Sequence, residues 1–313
     1  MLTDIAKSFQ AAKRRYDRGQ YALAHCFEVS FECLEALQTN ANLRTFGNFT
    51  LAGYSLPYSV ADSGERLSRP FHPELFIADP EVFKAASEEV ADQLGNCNDV
   101  DPNLLDQVIY TAISAFSLSY DLWKPRSRKT PSTFFEVVIG SASHIIFPHY
   151  ALTKHIPIKD VGAAEPVDAL AKTEVGDAGD DATEFSGDSV STDLVITNPQ
   201  TEKGAVVPLK ITTRERIVQP FAHQRILDSA YPGQYASFVS CISEVQRDDA
   251  TTAVKQICVP GTVALFQKHL AHIKGLYYCD IPRRYARYDF TRIIPVKPFH
   301  ALFTDIADHL KAD

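Results

Sequence analysis

The stretch from Ser189 to Thr213 limits the fold more than any other. Two apolar runs, "SVSTDLVIT" and "AVVPLKITT", flank the turn-like "NPQTEKG". β-Branched side chains favour strands, and Asn-Pro followed by Lys-Gly supplies a turn, so a β-hairpin is expected. Directly after it, "RERIVQPFAHQRILDSAY" has helical spacing. A kink is expected near Pro220, because proline lacks the N–H and clashes one turn back. Strands and helices then alternate. "YASFVSCISEV" and "AVKQICVP" read as strands, "GTVALFQKHLAHIKG" as a helix closed by Gly275, and "LYYCDIP" as a last strand. Such alternation implies an α/β fold with a central mixed β-sheet flanked by helices on both faces.

The first 120 residues have a different rhythm. Apolar residues recur three and four apart in "DIAKSFQAAKRRYDRG" and "QYALAHCFEVSFECLEALQ", the period of an amphipathic helix. "DPEVFKAASEEVADQLG" and "DPNLLDQVIYTAISAFSLSYDLW" each open on Asp-Pro, a helix-start signal. Residues 40–70, rich in Thr, Asn, Gly, Ser and Pro, are expected to be irregular. Beyond Trp123, Thr130 or Ser132 can cap a helix that buries Phe135, Val138, Ile139 and Ile146. The chain therefore divides into a mainly helical region, 1–120, and an α/β region, 121–313.

Charge bears on the partner. The net charge of −8 over 313 residues argues against nucleic acid at first sight. From Asp160 to Asp193, however, there are ten acids and one base, and the remainder of the chain stands at +1. The acidic stretch 160–190 has a mobile-loop composition. Bases gather elsewhere, in "KPRSRK" (Lys124–Lys129), "RERIVQPFAHQR" and "RRYAR" (Arg283–Arg287), so a basic groove on a near-neutral body is open to this chain. "RRYAR" can grip phosphates or be a solvated turn. The six cysteines form no CxxC pair and no Cys/His cluster at zinc spacing; buried reduced thiols are expected. No apolar run approaches the roughly 20 residues of a membrane helix. The first twenty residues lack a signal peptide's apolar core, and a cytoplasmic location is expected. There is no Walker loop, GxGxxG or nucleophile elbow.

Within the hairpin, Asp193 begins the first strand and Lys210 ends the second, so the two can sit side by side at one edge of the sheet. A carboxylate can hold a divalent metal through hard oxygen ligation. A nearby ammonium can orient a water or offset phosphate charge. Together they can hydrolyse a phosphodiester, with the metal polarising the phosphorus centre. Just beyond stand Arg214, Glu215 and Arg216. Arg reads guanine O6 and N7 bidentately and Glu accepts from cytosine N4. The same triplet is also what a solvated helix start looks like.

"KITTRERIVQ" resembles the strand-to-helix signature of type II restriction endonucleases that cut sites built on CC/GG, members of the PD-(D/E)xK nuclease fold. "RSRKTPSTFFEVVIG" is similar to the same group's basic-then-Phe-Glu helix, and the resemblance spans about residues 124–230. It implies Asp193 and Glu136 as metal-holding carboxylates, Lys210 as the residue that positions the attacking water, and Arg214, Glu215 and Arg216 as readers of G·C pairs, with Gln219 a further candidate. Three positions depart from the pattern, the least of them Thr192 where a proline would precede Asp193. Pro208 stands two before the lysine, where many relatives have an acid. Where the group places a glutamate on the following helix, this chain has His223, with Gln224 beside it; either can complete the metal shell, or Asp193 and Glu136 carry it alone.

The resemblance implies a Mg²⁺-dependent nuclease, a homodimer matching a short palindromic duplex DNA site, and a cognate DNA methyltransferase in the same system. The region 1–120 would serve dimerisation or DNA wrapping, and 121–313 would cut and read DNA. The alternatives are a repair or structure-specific nuclease of the same fold, a catalytically inactive DNA-binding module, and an unrelated α/β protein.

Overall fold

The computed structural model describes residues 1–96, 100–127, 129–158 and 188–311. The acidic stretch 160–190 lies almost wholly outside them, as do Cys97, Arg128 and the side chains of Arg214 and Glu215.

The N-terminal region is mainly helical, as the spacing predicts. It holds α1 (Leu2–Asp17), α2 (Leu23–Asn40), a hairpin of β1 (Asn42–Leu51) and β2 (Tyr54–Asp62), then α3 (Pro80–Gly95), α4 (Pro102–Trp123) and α5 (Lys129–Ile146). The Asp-Pro signals act as caps. Asp79 accepts from the N–H groups of Glu81 and Val82, and Asp101 from those of Asn103 and Leu104. Each acid satisfies donors that a first helical turn leaves unpaired. α4 is buried around nearly its whole circumference, which makes it the central rod on which α2, α3 and α5 pack. Phe116 of α4 stacks on Phe134 of α5 with centroids 4.1 Å apart.

The hairpin corrects the expectation of irregular structure over 40–70. Its turn is Ala52-Gly53, with φ of 49° and 81°, a two-residue turn whose positive φ values match strand twist. An alanine in that role, and Thr/Asn-rich flanks, disguised it. Tyr58 of β2 donates to Asp280 Oδ2 at 3.0 Å, and Ser243 donates to the same oxygen at 2.9 Å, so a buried acid ties the hairpin to the main sheet.

The second half supplies β3 (Ala151–Pro157), β4 (Ser189–Thr197), β5 (Gly204–Val206), β6 (Leu209–Lys210), a 3₁₀ turn (Arg214–Ile217) and α6 (Val218–Ala230). There follow β7 (Tyr235–Cys241), the small hairpin β8 (Val245–Asp248) and β9 (Ala253–Gln256), and α7 (Pro260–His269). β10 (Gly275–Tyr278), α8 (Tyr288–Thr291), β11 (Val296–Pro298) and α9 (Ala301–Leu310) end the chain. The main sheet runs β11-β10-β7-β5-β4-β3, with β6 also on β7. β3, β4 and β5 are antiparallel; β5, β6, β7, β10 and β11 are parallel. The expected mixed sheet flanked by helices is present.

Three local expectations change. Pro220 does not kink a helix: it falls in the first turn of α6, where its missing N–H has no partner to lose. α7 ends at His269, and Gly275 opens β10 instead of closing the helix. The strand of "LYYCDIP" is followed by a further one, β11. One hydrophobic cluster joins α1–α5 to sheet residues such as Leu194, Ile196, Leu209 and Phe238, so it runs across residue 120. The described cysteines are buried free thiols. No described helix is long and apolar enough to cross a membrane.

Candidate active site

The site is built on an irregularity of β4. Thr153 faces Val195 across the β3–β4 ladder, yet His155 faces Ser191. One residue of β3, Lys154, therefore spans three of β4: Thr192, Asp193 and Leu194. A bulge bends a strand and re-aims its side chains. Asp193 sits at its centre, inside β4 and not at its start, which corrects the expectation from sequence; Ser189 and Ser191 before it pair as strand despite their polarity.

Pro208 shapes the other half. Val207 N–H still donates to Leu194 O at 2.8 Å, but Pro208 has no N–H to continue the ladder. The expected single strand is thus two pieces, β5 and β6. At the break, Leu209 N–H donates to Asp193 Oδ2 at 2.8 Å, and Lys210 Nζ donates to the same oxygen at 2.7 Å. The acid's side chain replaces the missing main-chain partner. Lys210 itself is held on β7: Ser240 N–H donates to Pro208 O at 2.9 Å and Ile242 N–H to Lys210 O at 3.2 Å.

Lys210 borders two clefts. The smaller, about 210 Å³, also takes in Asp193, Thr192, Gln219 and His223. Gln219 and His223 are four apart and share one face of α6. Burial pushes the His223 imidazole below the ordinary histidine range, Lys210 pushes it further down, and Asp193 opposes both. Gln224 does not face this cleft. It is buried, and its amide donates to Asp228 Oδ1 at 2.7 Å and to Tyr235 O at 3.0 Å. Of the two alternatives in sequence, His223 is the one beside Asp193 and Lys210.

Glu136 lies on α5, largely buried, with its Oε1 ion-paired to Lys154 Nζ. Burial raises its carboxyl above the usual range, Lys154 lowers it, and Asp193 raises it again. Glu136 and Asp193 thus feel each other's charge. Among the described residues no three or more His, Cys, Asp or Glu side chains are grouped so as to hold a metal ion.

The larger cleft, about 400 Å³, lies on the other side of Lys210 and is lined by Thr212, Thr213, Arg216 and Arg69 among others. Arg216 is exposed in the 3₁₀ turn. The turn is anchored from below. Thr213 N–H donates to Glu244 Oε1 at 2.9 Å, the Thr213 hydroxyl donates to the same oxygen, and Tyr278 OH donates there at 3.3 Å. Glu244 is 1% exposed. Arg69 grips Asp121 bidentately at 2.7 and 2.8 Å. Sequence reasoning missed Glu244, Arg69 and Lys154, which carry no local motif; "SEV" hinted at Glu244 only as an acid inside an apolar strand. In "RRYAR", Tyr285 is core and Arg283 covers the Tyr54 ring at 4.3 Å.

No protein-family model and no curated protein matches the chain. Among solved structures it is similar to the type IIP restriction endonuclease Kpn2I, with a TM-score of 0.82, 34% identity, and cover of 98% of this chain and 97% of that one. A complex of restriction endonuclease PspGI with substrate DNA matches over 74% of this chain and 92% of that one, at 13% identity and a TM-score of 0.42, too slight a likeness to bear on the site. The fold is thus that of a restriction endonuclease. At 34% identity over nearly the full length of both chains, this protein belongs to the type II restriction endonucleases, which are DNA nucleases.

Proposed function

We propose that the protein cuts duplex DNA at a short, G·C-containing palindromic site, as a Mg²⁺-dependent homodimer. The observation that carries this reading is the Asp193–Lys210 pair, made at 2.7 Å on a strand bulge beside the turn of Arg214, Glu215 and Arg216. Asp193 and Glu136 would hold the cation, with His223 as a softer third ligand, although the described side chains are not grouped as a complete metal site. When bound, the cation would polarise the scissile phosphate and offset its charge.

The chain's own groups do the rest. Lys210 orients the attacking water and stabilises charge on the phosphate, with Asp193 fixing the ammonium. Hydrolysis leaves 5′-phosphate and 3′-hydroxyl ends. Arg214, Glu215, Arg216 and Gln219 read G·C pairs. Two-fold DNA symmetry is matched by two-fold protein symmetry. The helical region 1–120 builds the dimer interface or wraps DNA, and a methyltransferase protects the host's own sites in the cytoplasm.

Incubation with phage DNA and Mg²⁺ tests this: discrete bands are expected. Lys210→Ala should lower cleavage about 100-fold or more while specific binding persists, as loss of a transition-state contact does. Normal cutting by that variant would remove Lys210 from the reaction. His223 in place of an acid favours a second reading, an inactive DNA-binding module, which binding without cutting by the wild type would support.

A further inference from the structure

Arg69 brings the N-terminal region to the reading side of Lys210. It follows β2 in the chain and lines the larger cleft together with Lys210, Thr212, Thr213 and Arg216. Its backbone is fastened on its own. Arg69 N–H donates to Asp121 Oδ2 at 2.9 Å, the Ser68 hydroxyl donates to Arg69 O at 2.8 Å, and the flanking Ser68 and Pro70 are buried. The guanidinium is not needed to hold this segment down.

The guanidinium is held all the same. Nε and Nη2 donate to Oδ2 and Oδ1 of Asp121 at 2.7 and 2.8 Å, while the Arg69 side chain stays 34% exposed. A planar fork gripped along one edge has a fixed orientation. Its far edge, Nη1 and the second N–H of Nη2, still presents two parallel donors. Asp121 stands in the last turn of α4, the central rod of the helical region, so the fork is mounted on a rigid element. Among the described residues that line the cleft, Asp121 is the only acid, and it is spent on Arg69. Such a cleft attracts a partner rich in acceptors. For a DNA nuclease that partner is duplex DNA.

Two parallel donors match guanine O6 and N7 at a base edge, or two oxygens of a phosphate. Asp121 favours the base. A phosphate contact needs charge, and the carboxylate offsets the charge of Arg69; what it adds is orientation, which base reading needs. The place of Arg69 in a cleft beside the turn Arg214–Ile217 points the same way.

We propose that Arg69, oriented by Asp121, reads a guanine within the same DNA site as that turn. This rests on the reading of the turn as facing the bases. Sequence discrimination is then shared between the N-terminal region and the α/β region, with Asp121 as a positioning residue.

The test is selection from a duplex DNA library with a randomised core, bound by the whole protein with Ca²⁺ in place of Mg²⁺ and then sequenced. Arg69→Lys keeps the charge beside Asp121 and removes the fork. Its selected motif should loosen at one G·C pair in each half-site, where the preference for guanine should fall about tenfold, with the other positions unchanged. Asp121→Ala should loosen the same pair, which a loss of stability alone would not do. Should Arg69→Lys fail to fold, Arg69→Gln combined with Asp121→Asn removes both charges together, and the same pair should loosen. An unchanged motif, whether or not affinity falls for every sequence alike, would overturn the proposal: Arg69 would then touch phosphate or no DNA at all. Loosening confined to A·T pairs would overturn it too. Arg216→Ala separates this from the turn's own part: it should loosen a different pair. A motif indifferent to Arg216→Ala would refute the reading of the turn, whatever Arg69 does.

Discussion

Gly140→Ala offers a sharp test of how α1 meets α5. An alanine Cβ at 140 would lie 2.3 Å from Tyr16 Oη and 2.5 Å from both Cε2 and Cζ of that ring. Tyr16 is 7% exposed and lies edge-to-face on His144, 5.9 Å away, so it has little room to withdraw. Interiors are close-packed, and forcing a methyl into one costs about 1–3 kcal/mol. Against this, glycine to alanine inside a helix gains about 1 kcal/mol. The clash should win by up to about 2 kcal/mol. In a Tyr16→Ala background the clash vanishes and only propensity remains, so Gly140→Ala should there stabilise by about 1 kcal/mol.

The sign should thus reverse between backgrounds, a coupling of roughly 1–3 kcal/mol, the size of the clash itself. Urea denaturation followed by circular dichroism on the four proteins of the cycle measures it, read as midpoint shifts at constant slope. The same sign in both backgrounds would refute the close approach of α1 to α5. The result reaches the site, since Tyr16 seats the Lys154 ammonium.

Glu244→Ala should lose about 2–4 kcal/mol, because the buried Thr213 N–H and hydroxyl lose their acceptor. It should also weaken specific DNA binding more than non-specific binding; a variant as stable as wild type in urea would show that Glu244 does not anchor the turn. His309 is held below its ordinary value of 6.5 chiefly by burial, then by Lys274 and Lys203, with the Gly204 carbonyl opposing. The unfolded chain then takes up a proton first as pH falls, so His309's contribution is full above about pH 6.5 and is lost on acidification through the lower folded value. A nuclear magnetic resonance titration should find a midpoint below 6.5; one at or above it would contradict the burial argument.

The Asp193–Lys210 pair was legible because a charged residue inside an apolar strand has few reasons to be there. The capping acids Asp79 and Asp101 were legible because capping is local. What escaped was tertiary. Lys154 meets Glu136 only through the strand bulge, and nothing in "ALTKHIP" announces a bulge two residues deep on the neighbouring strand. Glu244 meets Thr213 across 31 positions. The β1–β2 hairpin was lost to an alanine at positive φ, a place where periodicity and turn chemistry both look for Gly or Asn. Pro220 misled for a related reason: proline's effect depends on its distance from the helix start, which the preceding 3₁₀ turn shifts.

Pro208 changes which neighbours its strand keeps. β5 pairs with both β4 and β7, so the sheet is continuous there; past Pro208 the strand keeps its β7 neighbour as β6, and β4 is reached through the Asp193 side chain. The contacts of Leu209 N–H and Lys210 Nζ with Asp193 Oδ2 carry the link between β6 and β4 below the break. One carboxylate oxygen thus does below Pro208 what main-chain pairing does above it, and the seating of β6 and of the turn that follows is tied to that single side chain.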